Sequence, residues 1–256
     1  MAKNTELTDE LPVTDTKIDV PAKPPQNLTG AASSKNKKSI RVVVARFREP
    51  LDWLALVPEG HEIYVSNSGE DTPSIPSQIQ NRTTIANVPN GGRECGHWWR
   101  YIVSNYDRLA DVQVFLQGGP DVGHTTDLLF GPWLERHYVE QRMRDAEGFS
   151  YIFDQSLRPR LPGGGAYHAH MFICQAHGRK YLPLPRPVGK SDWGGQHFVS
   201  REVIQNRPKE FYEGLIQHGC SPDEAPLEAP VAAILKHKTA WIYERAMSII
   251  YNVQPD

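Results

Sequence analysis

The sequence predicts an α/β fold: one domain on a mixed, mainly parallel sheet flanked by helices, preceded by a polar leader. Three observations predict it. Apolar runs of strand length alternate with helical segments through the first half of the domain, as in parallel sheets with helices packed on them. Turn-forming glycine, proline and asparagine separate those segments. Residues 1–38 carry almost no large apolar side chains, so they cannot bury enough surface to offset ordering entropy. The expected organisation is a disordered tail over 1–38 and a single α/β domain over 39–256.

The elements follow in order. Ile40 to Phe47 is rich in β-branched residues and reads as a strand buried on both faces. Pro50-Leu51-Asp52-Trp53-Leu54 reads as a short helix with proline near its first turn. Glu62 to Asn67 is a second strand stopped by Ser68-Gly69, residues 70–82 are loop, and Thr84 to Val88 is a third strand. From Glu94, apolar residues at Trp98, Ile102, Val103 and Tyr106 fall on one helical face. Asp111 to Gln117 is the next strand, ended by Gly118-Gly119-Pro120. Beyond it, residues 131–145 read as helical, while 159–165 and 182–194 are loops rich in proline and glycine. Ser200 caps a short helix, Pro208 opens another that stops at Gly219, and Pro230 starts the last, which carries Trp241 and Ile250.

Composition narrows the function classes. Among 256 residues the formal net charge is -2 and the sequence pI about 6.6, which argues against wholesale nucleic-acid wrapping. The longest apolar runs are far too short to span a bilayer, and Met1-Ala2-Lys3-Asn4 opens no secretory signal. Three widely spaced cysteines, Cys95, Cys174 and Cys220, imply no disulfide framework and point to a reducing, cytoplasmic setting.

Four places hold candidate chemistry. At Asn90-Gly91-Gly92-Arg93-Glu94 the glycines precede a helix N-terminus, where backbone N–H groups and the helix dipole favour an anion and Arg93 adds a clamp. The spacing matches neither the dinucleotide fingerprint nor the P-loop. Gln117, Asp121 and His124 follow a strand's carboxyl end, where open parallel sheets bind ligands. His168, His170 and Cys174 alternate on one side of a strand-like stretch and form a weak metal candidate. Glu244 sits on an apolar helix as a general base or an arginine partner. Plain structural readings compete with each: a tight turn, polar loop histidines, the wet face of a helix.

Several segments together resemble a fungal and bacterial family known as a domain of unknown function, type 3431. They are Val42-Val43-Val44-Ala45-Arg46-Phe47-Arg48-Glu49, Gly92-Arg93-Glu94, Asn105 to Val112 continuing through Phe115-Leu116-Gln117-Gly118, Gly195 to Glu202, Arg207 to Tyr212, and Tyr243-Glu244-Arg245. That family is similar to the GT-A-like glycosyltransferases, a Rossmann-like class that uses nucleotide sugars. The resemblance implies that Arg46, Arg48 and Arg93 hold an anionic, nucleotide-activated donor, and that Gly92, Glu94, Gln117, His124 and Gln196 line the site. It assigns catalysis to Glu244 and Asp121, with a divalent metal, manganese or magnesium, as the expected cofactor. The chain departs from the pattern at the metal motif: where an Asp-x-Asp is usual it reads Gln117-Gly118-Gly119-Pro120-Asp121. Two other readings stand beside this one. The chain is an amide- or peptide-forming enzyme using an aminoacyl-tRNA, with Cys95 as candidate nucleophile, or a non-catalytic binding module on a transferase fold.

Overall fold

The computed structural model describes residues 37–119, 134–145, 147–152, 196–219 and 247–251. Six strands form one sheet: β1 (Ile40–Arg46), β2 (Glu62–Asn67), β3 (Thr83–Asn87), β4 (Val112–Gln117), β5 (Phe149–Tyr151) and β6 (His197–Ser200). Among the described residues five α-helices accompany them: α1 (Arg93–Asn105), α2 (Arg136–Asp145), α3 (Arg201–Gln205), α4 (Lys209–Gly219) and α5 (Met247–Ile250). The sheet order is β3-β2-β1-β4-β6-β5. β1 to β4 are mutually parallel, and β6 runs antiparallel to both β4 and β5. The α/β, mainly parallel mixed sheet expected from the sequence is present.

β1 is central because its sequence suits two covered faces. Val43 pairs with Tyr64 on one side and Phe115 on the other, and Val42, Val43 and Val44 have no solvent exposure. Alternation then divides the core. Val43, Ala45, Phe115 and Val199 face Trp98, Trp99 and Ile102 of α1 and Phe211, Tyr212 and Leu215 of α4. Val42, Val44, Ile63, Val65, Val114 and Phe198 face Leu54, Leu134, and Val139 and Met143 of α2. Each fully buried valine, leucine, isoleucine, phenylalanine or methionine among them contributes about 1.5–3 kcal/mol relative to exposure.

Most expected elements shift by a residue or two. The short helix after β1 is a 3-10 turn at Asp52–Leu56, and the loop before β3 contains another at Ser77–Arg82. Ser200 caps α3 as expected, accepting from the Val203 N–H at 3.2 Å. β5 and β6 have no counterpart in the sequence reading. Three and four residues are too few to show a period, and their pairing is set by neighbours rather than by intrinsic preference. The last helix is described only over Met247–Ile250, and residues 131–133 lie outside the described residues.

The amino end of the parallel strands is sealed by arginines. Arg82 donates to the carbonyls of Val57 (2.6 Å), Pro58 (2.9 Å) and His61 (2.6 Å). Arg136 donates to the carbonyls of Lys38 and Gly60. Ser39 and Asp111 bond reciprocally, tying the start of β1 to the start of β4, and Arg201 pairs with the same aspartate. Among the described residues no helix is long and apolar enough to cross a membrane.

Candidate functional site

The chain leaves β1 toward β2 and β3 on one side, then crosses back to β4 on the other. In open parallel sheets the crevice beyond the carboxyl ends at such a reversal is where ligands bind. Here the corresponding end of the sheet lies beyond Arg46 and Gln117, and most of the described candidate residues gather at it.

On the β1–β2 side Arg46 is a positioning group. Its guanidinium meets Asp71 through both oxygens (2.6 and 3.1 Å), Asn67 Oδ1 (2.7 Å) and the Glu49 carbonyl (2.9 Å). Four of its five N–H donors are thereby used, and the residue is 4% exposed. Hydrogen bonding to Arg46 holds the Asp71 carboxyl below its usual range. The buried Asn67 amide completes the network by donating to Gly69, Asp71 and Asn87. Arg46 therefore fixes the loop after β2 and has little left for a phosphate. Arg48, in contrast, is exposed, with its guanidinium 4.8 Å from the centre of the exposed Phe47 ring and 3.8 Å from Glu70.

The loops after β1 and β4 touch directly. Glu49 Oε2 accepts from the Phe47 and Arg48 N–H groups at 2.7 and 3.1 Å. The same carboxylate lies against Gly118, where an added Cβ would stand 2.6 Å from Oε2. Trp53 Nε1 donates to the Gly118 carbonyl at 2.8 Å. Gly118 is thus small because Glu49 approaches it closely.

The third wall is the start of α1. Gly92 forms the cap with φ 77°, and Arg93 follows at φ 48°, a left-handed conformation uncommon outside glycine. The turn folds onto Gly96, where a Cβ would stand 1.9 Å from the Gly91 carbonyl oxygen, and Arg100 donates to that oxygen at 3.0 Å. The cap residue Gly92 makes no side-chain cap bond, and Arg93 beside it is exposed. Glu94, Gln117 and Gln196, distant in sequence, meet here. Gln117 Nε2 donates to Glu94 Oε1 (3.2 Å), and the Gln117 backbone N–H donates to Gln196 Oε1 (3.1 Å).

His97, three residues after Glu94, went unremarked in the sequence. It is 3% exposed, and its Nδ1 lies 2.9 Å from both the carbonyl and the hydroxyl of Ser66 on β2. Burial pushes its pKa down to about 4; Arg100 adds to that, while the Ser66 carbonyl and Glu49 pull the other way. Glu49 was likewise not picked out as a site residue, although it stands three positions beyond β1.

Cys95 is fully buried in the core and presents no thiol to the crevice. Asp121, His124, His168, His170, Cys174 and Glu244 lie outside the described residues. Among the described residues no three histidine, cysteine, aspartate or glutamate side chains gather as metal ligands. Comparison with models of known protein families, and with curated proteins, finds no match for this chain.

Proposed function

We propose that this chain is a group-transfer enzyme of the glycosyltransferase-like kind, binding a nucleotide-activated, anionic donor beyond β1 and β4. The observation that carries the reading is the reversal of strand order between β1 and β4, with the uncapped N-terminus of α1 opening onto the same end of the sheet. The order β3-β2-β1-β4 is also that of a Rossmann-like half, which supports the finer fold assignment. Arg93 and Arg48, exposed at the mouth, are the cations for the donor's phosphates, and Glu94 and Gln117 orient it. Arg46 serves by holding the loop after β2. In the reaction an acceptor hydroxyl forms a bond to the sugar carbon as the carbon–oxygen bond to the diphosphate breaks. The diphosphate leaves with the bonding electrons, the hydroxyl proton passes to a base, and displacement inverts the carbon.

The buried position of Cys95 counts against a covalent aminoacyl route. The missing Asp-x-Asp favours, as the second reading, a binding module that holds the nucleotide without turnover. A thermal-shift screen with nucleoside diphosphates and nucleotide sugars, with and without manganese or magnesium, tests the reading. A ligand at a hundredfold excess over its dissociation constant stabilises by about 2.7 kcal/mol. A shift confined to one base supports a donor site, and hydrolysis or transfer of that sugar separates enzyme from module. No shift with any nucleotide contradicts the proposal.

A further inference from the structure

Three described histidines are buried: His61, His97 and His197. His197 meets the Tyr251 hydroxyl through Nε2 at 3.0 Å, whereas His97 has Nδ1 held and the other ring nitrogen left over. Its Nδ1 sits 2.9 Å from the Ser66 carbonyl oxygen, which only accepts, so Nδ1 carries the hydrogen. The neighbouring Ser66 hydroxyl, at 2.9 Å, holds the ring in the same orientation. Nε2 is then a lone-pair acceptor, and no described residue bonds it. Nε2 is not among the fully buried side-chain atoms that lack a partner, so on a residue only 3% exposed it keeps the access that a donor group needs.

The surroundings say what kind of donor fits. His97 lies on the first turns of α1, three residues from Glu94 and therefore on the same side of the helix. Ser66 places the ring at the carboxyl end of β2, and Glu49 on the loop after β1 lies within electrostatic reach. Low pKa supports the same picture: at neutral pH the imidazole stays uncharged and accepts. An acceptor with the Glu49 carboxylate in electrostatic reach suits a neutral hydroxyl and disfavours a phosphate oxygen. The crevice is thereby divided, with phosphates toward Arg93 and the exposed start of α1 and hydroxyls toward His97.

We propose that Nε2 of His97 is a ligand-binding acceptor that receives a hydrogen bond from a ribose or sugar hydroxyl of the bound nucleotide. The inference rests on the donor-site reading for the ligand's class. It adds the residue that reads a hydroxyl, a role none of the sequence-derived candidates fills.

The experiment uses the full chain and diethyl pyrocarbonate near neutral pH, with modified residues mapped by mass spectrometry. In this reaction the Nε2 lone pair attacks a reagent carbonyl; a nitrogen–carbon bond forms and ethyl carbonate leaves. His97 is expected to react, and uridine, adenosine or guanosine diphosphate, whichever binds, is expected to slow that reaction. His97→Gln, with folding checked by circular dichroism, is expected to weaken binding of that diphosphate about tenfold, the worth of one hydrogen bond. The 2′- or 3′-deoxy nucleotide is expected to lose the same factor against the wild type and nothing further against the variant. Binding that is equal in wild type and His97→Gln, with no protection of His97, overturns the inference and leaves the donor-site reading standing. No binding of any diphosphate or nucleotide sugar to the wild type overturns both. A His97 that stays unmodified in the folded, ligand-free protein overturns the inference, because Nε2 is then out of a ligand's reach.

Discussion

The two ends of the parallel strands are built from similar residue types and put to opposite use. At the amino end Arg82 and Arg136 spend their donors on main-chain carbonyls, and Ser39, Asp111 and Arg201 lock the strand starts together. At the carboxyl end stand a helix start without a side-chain cap, a left-handed Arg93, and a glycine pressed by a carboxylate. Each end also buries a histidine. His61 is 1% exposed and its ring nitrogens make no hydrogen bond of ordinary geometry, the nearby Leu134 backbone included, whereas His97 is held by Ser66. Sealing an end needs carbonyl-directed arginines; a site needs groups left with capacity to spare.

The largest expected effect is acid instability shared by His61 and His97. Each has a folded pKa near 4 against an ordinary value of 6.5, lowered chiefly by burial, and for His61 also by Arg136 and Arg82, with the Leu134 backbone opposing. The unfolded chain takes up protons first, so stability is full above about pH 6.5 and falls as pH drops through 4. The loss approaches about 3 kcal/mol per histidine. Denaturant unfolding at pH 7 and pH 4.5, compared with His61→Phe, measures the share from the amino end; a variant with an unchanged pH slope contradicts the assignment.

Next in size is Gly96→Ala. The added Cβ meets the Gly91 backbone at 1.9 Å, so the turn before α1 must move, and a loss of about 2–3 kcal/mol is expected in the melting curve. Retention of full stability shows that the turn is not fixed by this contact. The histidines then separate the two ends directly. His61→Phe removes an unpartnered ring and is expected to add about 1–2 kcal/mol at pH 7, while His97→Phe strips Ser66 of its partner and costs a similar amount. Equal signs for the two changes break the comparison.

Smaller effects on stability sharpen it further. Gly118→Ala displaces only the end of the Glu49 side chain, so a stability change under about 1 kcal/mol is expected, together with weakened ligand binding. Arg93→Gly relieves the left-handed backbone and adds under about 1 kcal/mol, yet removes a cation from the mouth and weakens diphosphate binding. Calorimetric titration beside a melting curve reads both consequences. A variant that loses stability and keeps affinity assigns its residue to the frame.

The central strands were legible because a strand buried on both faces must be apolar at nearly every position, as Val42 to Val44 and Val112 to Leu116 are. The start of α1 was legible because glycines there have a local mechanism. β5 and β6 were not, since their stability resides in the pairing of Val114 with Phe198 and Phe149 with Val199. In the site, Gln117, Glu94 and Gln196 do come together, but nothing in the sequence announces that Arg46 is consumed by Asp71, 25 positions away. A charged residue after a strand shows its charge and hides its partner. His97 was hidden by its neighbours, because between Cys95 and Trp98 it reads as one more core residue. Its signal was the i,i+3 relation to Glu94, which puts two polar groups on one side of an amphipathic helix.

The most direct test of the account is amide hydrogen exchange with and without the nucleotide that gives the largest thermal shift. The account predicts slowed exchange at residues 92–95 and at Gln117 and Gly118, with residues 57–61 unchanged. Protection that appears at 57–61, or nowhere beyond the carboxyl ends of β1 and β4, contradicts it.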